Sequence, residues 1–250
     1  MTGIGENTLA QPVKPPLRER RACLAKLVKN RLTLTRAIRS RGAAGVRLVV
    51  SDAHPGLVRA LGEVFQGAAW QRCAVHLMRD CMREAGSWQL RRRVGRIVSQ
   101  VFRGREAATV TAMYHAACDM LAGCCPRVAA VLEEAEPDAL AYLDFPPTHW
   151  KRLRTNNVQE RTNREIKRRS RVVQVFPSTG SLARLAGAVM CELDEIWQES
   201  RCFSEARMNE LYDDGRTRGI DGPVDWARLE VEARGMLESG LELADRVEAA

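Results

Sequence analysis

Asp52 and Glu160, far apart in the chain, each stand where a side-chain oxygen could do chemistry. Asp52 closes the apolar run Val46-Arg47-Leu48-Val49-Val50-Ser51, and Glu160 stands within Thr155-Asn156-Asn157-Val158-Gln159-Glu160-Arg161-Thr162-Asn163-Arg164-Glu165-Ile166-Lys167-Arg168-Arg169. Paired carboxylates can hold divalent metal ions at a phosphodiester and so promote in-line attack by an oxygen nucleophile. Each also has a plainer reading. Asp52 taken alone reads as a cap for the helix that follows it, and Asn157-x-x-Glu160 fits an N-cap residue with its reciprocal N3 glutamate. The surroundings of Glu160 favour the chemical reading. At about 100° per residue, positions 160, 164, 167 and 171 fall on one narrow arc, so Arg164, Lys167 and Arg171 share the carboxylate's face. Val158, Thr162 and Ile166 form a separate stripe able to pack inward. A glutamate that only caps has no need of three cations in line below it. A carboxylate that holds a metal at a scissile phosphate gains from them, because they can hold the flanking phosphates.

Cys73-Ala74-Val75-His76 could present a thiolate and an imidazole on one side, which is half of a zinc site. A structural zinc needs four ligands, and neither Cys81 nor the vicinal Cys124-Cys125 makes a second pair of comparable spacing, so the pattern argues against zinc. His76 reads as a hydrogen-bonded structural residue, and His54 and His149 receive no role.

The elements that must position these groups are predominantly helical. Val46–Ser51 is the clearest strand, β-branched and apolar enough for a central strand covered on both faces. Pro55 then suits the first turn of a helix with apolar positions 57, 58, 61, 64 and 65, ended by Gly67. Ala69–Cys73 is a short strand. From His76 to Leu143 the pattern is helical, punctuated at Gly86, Gly123 and Pro126 and stopped by Pro146-Pro147, with a new helix from about Asn157. Ser181–Glu199 places Leu182, Leu185, Ala186, Val189, Leu193, Ile196 and Trp197 on one apolar stripe. Upstream, residues 1–16 read as a disordered lead-in and Arg18–Arg41 as a basic helix closed by Gly42 and Gly45. After Gly215, Gly219 and Pro223, an acidic C-terminal helix with a weak apolar face is expected to pack loosely.

A chain of 250 residues with 45% hydrophobic content can bury a substantial core. No apolar stretch approaches the roughly 18 residues of a membrane span, and Met1–Pro16 lacks the apolar segment of a secretory signal, so a cytoplasmic protein is expected. Eight scattered cysteines are read as reduced thiols. The net charge of +8 is unevenly placed: residues 151–171 hold nine Lys/Arg against two acids, whereas residues 213–250 hold five Arg against ten acids. Basic charge beside a candidate catalytic carboxylate points to nucleic acid rather than to a merely solvated helix face.

Four ordered blocks resemble the mutator-type transposases of bacterial insertion sequences: Ser-Asp-Ala-His-Pro-Gly-Leu at 51–57, Trp-Gln-Arg-Cys-Ala-Val-His at 70–76, His149 through Arg161, and Asn163 through Pro177. The similarity runs from about Leu32 to Asp214. It implies a ribonuclease H-like catalytic core with an Asp, Asp, Glu triad, interrupted by an all-helical insertion. On this match Asp52 is the second aspartate, Glu160 the glutamate, and Lys167 a basic residue two turns beyond it. Asp52 and Glu160 would bind Mg2+ or Mn2+. Trp70, Cys73 and His76 match a structural signature, and DNA would be contacted by Arg154, Asn157, Arg161, Arg164, Lys167, Arg168, Arg169 and Arg171. The implied division is a basic lead-in at 1–30, a partial core at 31–75 and 148–214, an insertion at 76–147, and an acidic tail at 215–250. The implied partners are double-stranded DNA at insertion-element ends, a second copy or a full-length transposase, and no membrane.

One departure stands at the front. The family carries its first aspartate well upstream of the second, and no aspartate precedes Asp52 here. Glu6 and Glu19 sit in unpromising Pro- or Arg-rich surroundings, and the strands that would flank Val46–Ser51 are not found. The expectation is therefore a mostly helical chain with a small α/β part, an N-terminally truncated transposase with an incomplete core and weak or absent metal binding. Two alternatives compete with it: a non-catalytic DNA-binding or dimerising remnant, and a zinc-stabilised nucleic-acid module.

Overall fold

The computed structural model describes residues 31–173, 175–198, 205–211, 220 and 223–249. The lead-in at 1–30, including Leu24, Leu27 and Val28 of the expected basic helix, lies outside the described residues, as do Gly215 and Gly219. The chain divides into two compact units. The first contains helix α1 (residues 31–40) and α2 (Pro55–Val64). Gly42 ends α1 at φ 101° and Gly67 follows α2 at φ 85°, both left-handed conformations that glycine adopts without a Cβ penalty.

The second unit holds everything from Arg47 to His54 and from Ala68 onward. Its strands are β1 (Leu48–Ser51) and β2 (Ala69–Arg72), paired parallel with Leu48 opposite Ala69 and Ser51 opposite Arg72. β1 starts two residues later than its apolar run, and β2 is its one partner among the described residues. Expected burial on both faces is not met. Leu48, Val49 and Val50 are half-buried and Ser51 alone is buried.

Helices α3 (Ala74–Glu84), α4 (Trp88–Val101), α5 (Ala107–Ala122) and α6 (Pro126–Ala139) follow, then a 3-10 turn at Ala141–Asp144. Ser87 caps α4 by accepting the amide of Leu90 at 3.2 Å, and Pro126 occupies the first turn of α6. One break went unread in the sequence. Between α4 and α5 the chain turns at residues 102–106, where Gly104 packs so closely on Val110 that an added Cβ would collide with it. Leu77, Ile97, Val110, Tyr114, Leu121 and Leu132, all nearly inaccessible, form the centre of this core.

The C-terminal helix α11 (Trp226–Ala249) does not pack loosely. It lies on α5 and α4 and inserts Ala233, Leu237 and Leu241, spaced four apart, into the same core. Full burial of one leucine such as Leu237 is worth roughly 1.5–3 kcal/mol. Small residues on the buried side explain both the close approach and the weak sequence signal: Gly240 meets the Gln100 side chain where a Cβ would clash.

Beyond the 3-10 turn come α7 (Trp150–Leu153), α8 (Asn157–Val173), α9 (Thr179–Gln198) and α10 (Glu205–Leu211). α9 packs on α8. Of its expected stripe, Val189 is fully buried and Leu185, Ala186, Leu193 and Trp197 are half-buried, but Leu182 and Ile196 are exposed at 41% and 55%. A single neighbouring helix covers the middle of that stripe and not its ends.

Candidate active site

Asp52 lies one residue past β1, exposed at the strand's carboxyl end. The capping alternative does not hold in its simple form, because α2 begins at Pro55 and its cap position is therefore His54. The strand end is fastened from beside it: Trp70 Nε1 donates to Ser51 Oγ at 2.9 Å, and Ser51 Oγ donates to the Asp52 carbonyl at 2.9 Å.

Gln71, fully buried, anchors β2. Its Nε2 donates to the Ala139 carbonyl at 2.8 Å and its Oε1 accepts the Tyr142 amide at 2.8 Å. Tyr142 in turn meets Trp150 edge-to-face at 5.6 Å, and Trp150 Nε1 donates to the Phe145 carbonyl at 2.6 Å. These contacts carry the chain through α7 to the start of α8. There the Ala74 amide donates to the Arg154 carbonyl at 2.9 Å.

Glu160 sits in the first turn of α8, but the register is displaced by one from the capping box. The Glu160 amide donates to the Asn156 carbonyl at 3.1 Å, which makes Asn156 the cap and Asn157 the first helical residue. The Asn156 side chain is used elsewhere, accepting from Cys73 Sγ at 3.1 Å. Sequence reasoning missed Asn156 because two adjacent asparagines offer two registers with nothing local to choose between them. The Glu160 side chain is half-buried and makes no hydrogen bond or ion pair among the described residues.

Along α8, Glu160, Asn163, Arg164, Lys167, Arg168 and Arg171 line one open groove, in keeping with the expected arc. Thr162 is buried and donates to the Val158 carbonyl, while Val158 and Ile166 are half-buried on the packed side. Arg161, Arg164, Lys167 and Arg171 have no ion-pair partner among the described residues. Arg168 and Arg169 differ. Both bind Glu165, at 2.6 and 2.9 Å, and Arg169 also grips both oxygens of Glu192 on α9 at 2.6 and 2.8 Å. Hydrogen bonds from Arg168 and Arg169 hold the Glu165 carboxyl down to about 2. Arg169 thus joins α8 to α9. Arg154 contributes its backbone to the α7–α8 connection, and Asn157 is exposed at the helix start.

Cys73 is inaccessible, and His76 follows it on the first turn of α3 with a buried Nδ1 that has no partner among the described residues. Among the described residues no group of three His, Cys, Asp or Glu comes together to hold a metal, and no helix is long and apolar enough to cross a membrane.

The site therefore comprises a strand-end aspartate, a helix-borne glutamate and a row of cations without ion-pair partners among the described residues. Residues 29–200 match the family model "Transposase, Mutator family". The chain belongs to that family. It is 40% identical over 174 residues to the transposase for insertion sequence element IS1081 of Mycobacterium tuberculosis, covering 69% of this chain and 41% of that protein. It is 38% identical over 170 residues to the transposase for ISRM5 of Rhizobium meliloti, covering 66% and 42%. With the transposase for IS406 of Burkholderia multivorans it shares 34% over 164 residues, again covering 66% and 42%. The matched region spans about two fifths of the length of these relatives.

Proposed function

We propose that this chain serves DNA transposition of a bacterial insertion sequence, by strand cleavage and transfer at the element's ends. The observation that carries this reading is the pair Asp52 and Glu160, presented by β1 and α8 of one compact unit, with cations in line with Glu160 that have no ion-pair partner among the described residues. In this reading β1, β2 and α8 belong to a ribonuclease H-like core, and α3–α6 form the helical insertion within it.

Asp52 and Glu160 are the residues that would hold Mg2+ or Mn2+. They fit the role as hard oxygen donors, and Glu160 is not committed to a neighbouring cation among the described residues. A bound ion would supply Lewis-acid activation of water or a DNA 3′-hydroxyl and neutralise charge at the phosphodiester. The chain's own contribution is electrostatic and positional. Arg161, Arg164, Lys167 and Arg171 bind phosphates and orient the duplex across the glutamate, and Arg169 holds α8 in place through α9.

No aspartate precedes Asp52 in the sequence, so these 250 residues supply two carboxylates of the triad. We therefore assign this chain DNA binding, with weak binding of Mg2+ or Mn2+ and no cleavage unless a complementary polypeptide supplies the third ligand. The test is a nicking and strand-transfer assay on element-end duplexes with Mn2+. DNA binding without nicking is expected. Robust nicking abolished by Asp52→Ala would mean that a third ligand exists within this chain and would overturn the assignment.

A further inference from the structure

Resting on the metal-site reading above, we propose that Cys73 and Asn156 form a clip that sets the separation of the Asp52 and Glu160 carboxylates, making Cys73 a positioning residue.

The elements carrying the two acids meet at Cys73. Its amide donates to the Ser51 carbonyl at 2.8 Å, extending the β1–β2 ladder to the residue beside Asp52. Its Sγ donates to Asn156 Oδ1 at 3.1 Å and lies 3.5 Å from the Asn156 amide, which donates back to it. The Asn156 carbonyl then accepts the amide of Glu160. A continuous hydrogen-bonded path thus runs from the residue before Asp52 to the residue bearing the second carboxylate. The neighbouring bond from the Ala74 amide to the Arg154 carbonyl prevents the junction from pivoting about the sulfur.

The residue type suits the task. Cys73 is inaccessible, so its side chain must be small, yet it both donates and accepts a hydrogen bond. Asn156 spends its side chain on Cys73 instead of on the amides of its own helix, leaving the usual capping interaction unmade. Groups that hold metal ligands in orientation from behind typically alter metal affinity by about 10- to 100-fold when removed.

The test uses the isotope-labelled full chain titrated with Mn2+, read by paramagnetic broadening of amide signals flanking Asp52 and Glu160. In the wild type both sets of signals should broaden along one shared curve. Cys73→Val, close in shape but unable to donate, should split them into two curves, each displaced by about tenfold or more in Mn2+. Cys73→Ser, which keeps a donor and an acceptor, should restore a shared curve within about threefold of wild type. The thermal midpoint and the salt dependence of DNA binding should change little in these variants, separating positioning from simple support of the fold. Asn156→Ala removes the same bond from the half-buried side and supplies the test if Cys73→Val does not fold. A shared, undisplaced curve in the variants would overturn the clip and leave the metal site standing. A wild type with no broadening near either acid would overturn the metal site, and the clip's role with it.

Discussion

Replacing Arg164, Lys167 and Arg171 together with alanine removes three cations from one face of α8 without disturbing any ion pair among the described residues, and all three are exposed. Fold stability should therefore hold while DNA binding changes. Each phosphate contact contributes about 0.9 to the slope of log affinity against log salt, so losing three should flatten it by roughly 2.7. Between about 50 and 200 mM salt, the wild type should lose roughly 40-fold more affinity than the variant, from a fourfold change in salt raised to that power. Fluorescence anisotropy on two duplexes of unrelated sequence reads this directly, and the loss should be nearly equal for both. Arg169→Ala is the internal control, because Arg169 is engaged by Glu165 and Glu192 and should flatten the slope by less than one contact. An unchanged slope in the triple variant would remove α8 from the DNA-binding surface.

Gln71→Leu should lower stability by about 2–6 kcal/mol, since it leaves the buried Tyr142 amide and Ala139 carbonyl unpaired at about 1–3 kcal/mol each; chemical denaturation measures it, and a change under about 1 kcal/mol would contradict the anchoring role. The α8–α9 junction should weaken in acid. Arg169 holds the Glu192 carboxyl on α9 below its ordinary 4.5, so the contribution of this interhelical pair is complete above about pH 4.5 and is lost as pH falls through the lowered value, while Glu165, held down to about 2, pairs inside α8. The Trp197 indole resonance should move across that window in the wild type and be displaced already at neutral pH in Arg169→Ala; a resonance indifferent to both would show that these pairs do not hold α9.

Long, strongly periodic segments were legible in the sequence, and residues whose role depends on distant partners were not. The helical stretch from His76 to Leu143, its breaks at Gly86 and Gly123, and the basic arc on α8 follow from 3.6-residue periodicity and local breakers, and α3–α6 and α8 fall there. The depth at which α11 packs was hidden, because its buried face uses Ala233 and a close-approach Gly240 amid many acids, a pattern that reads as weakly apolar. Exposure of Leu182 and Ile196 was equally hidden, since periodicity identifies a stripe but not how much of it a neighbour covers. In the site, Glu160 was named from the cations that share its face, and Asp52, which taken alone reads as a cap, from the resemblance to the transposase family. Gln71, Asn156 and the pairing of Arg169 with Glu192 depend on partners tens of residues away, which spacing alone does not reveal.

The central claim is that Asp52 and Glu160 face a common ion, and a crystal of the full chain soaked in Mn2+ tests it most directly. An anomalous difference peak in contact with both carboxylates is the expected result. Carboxylates more than about 10 Å apart, too far for metal ions spaced at roughly 3.5–4 Å, would contradict it.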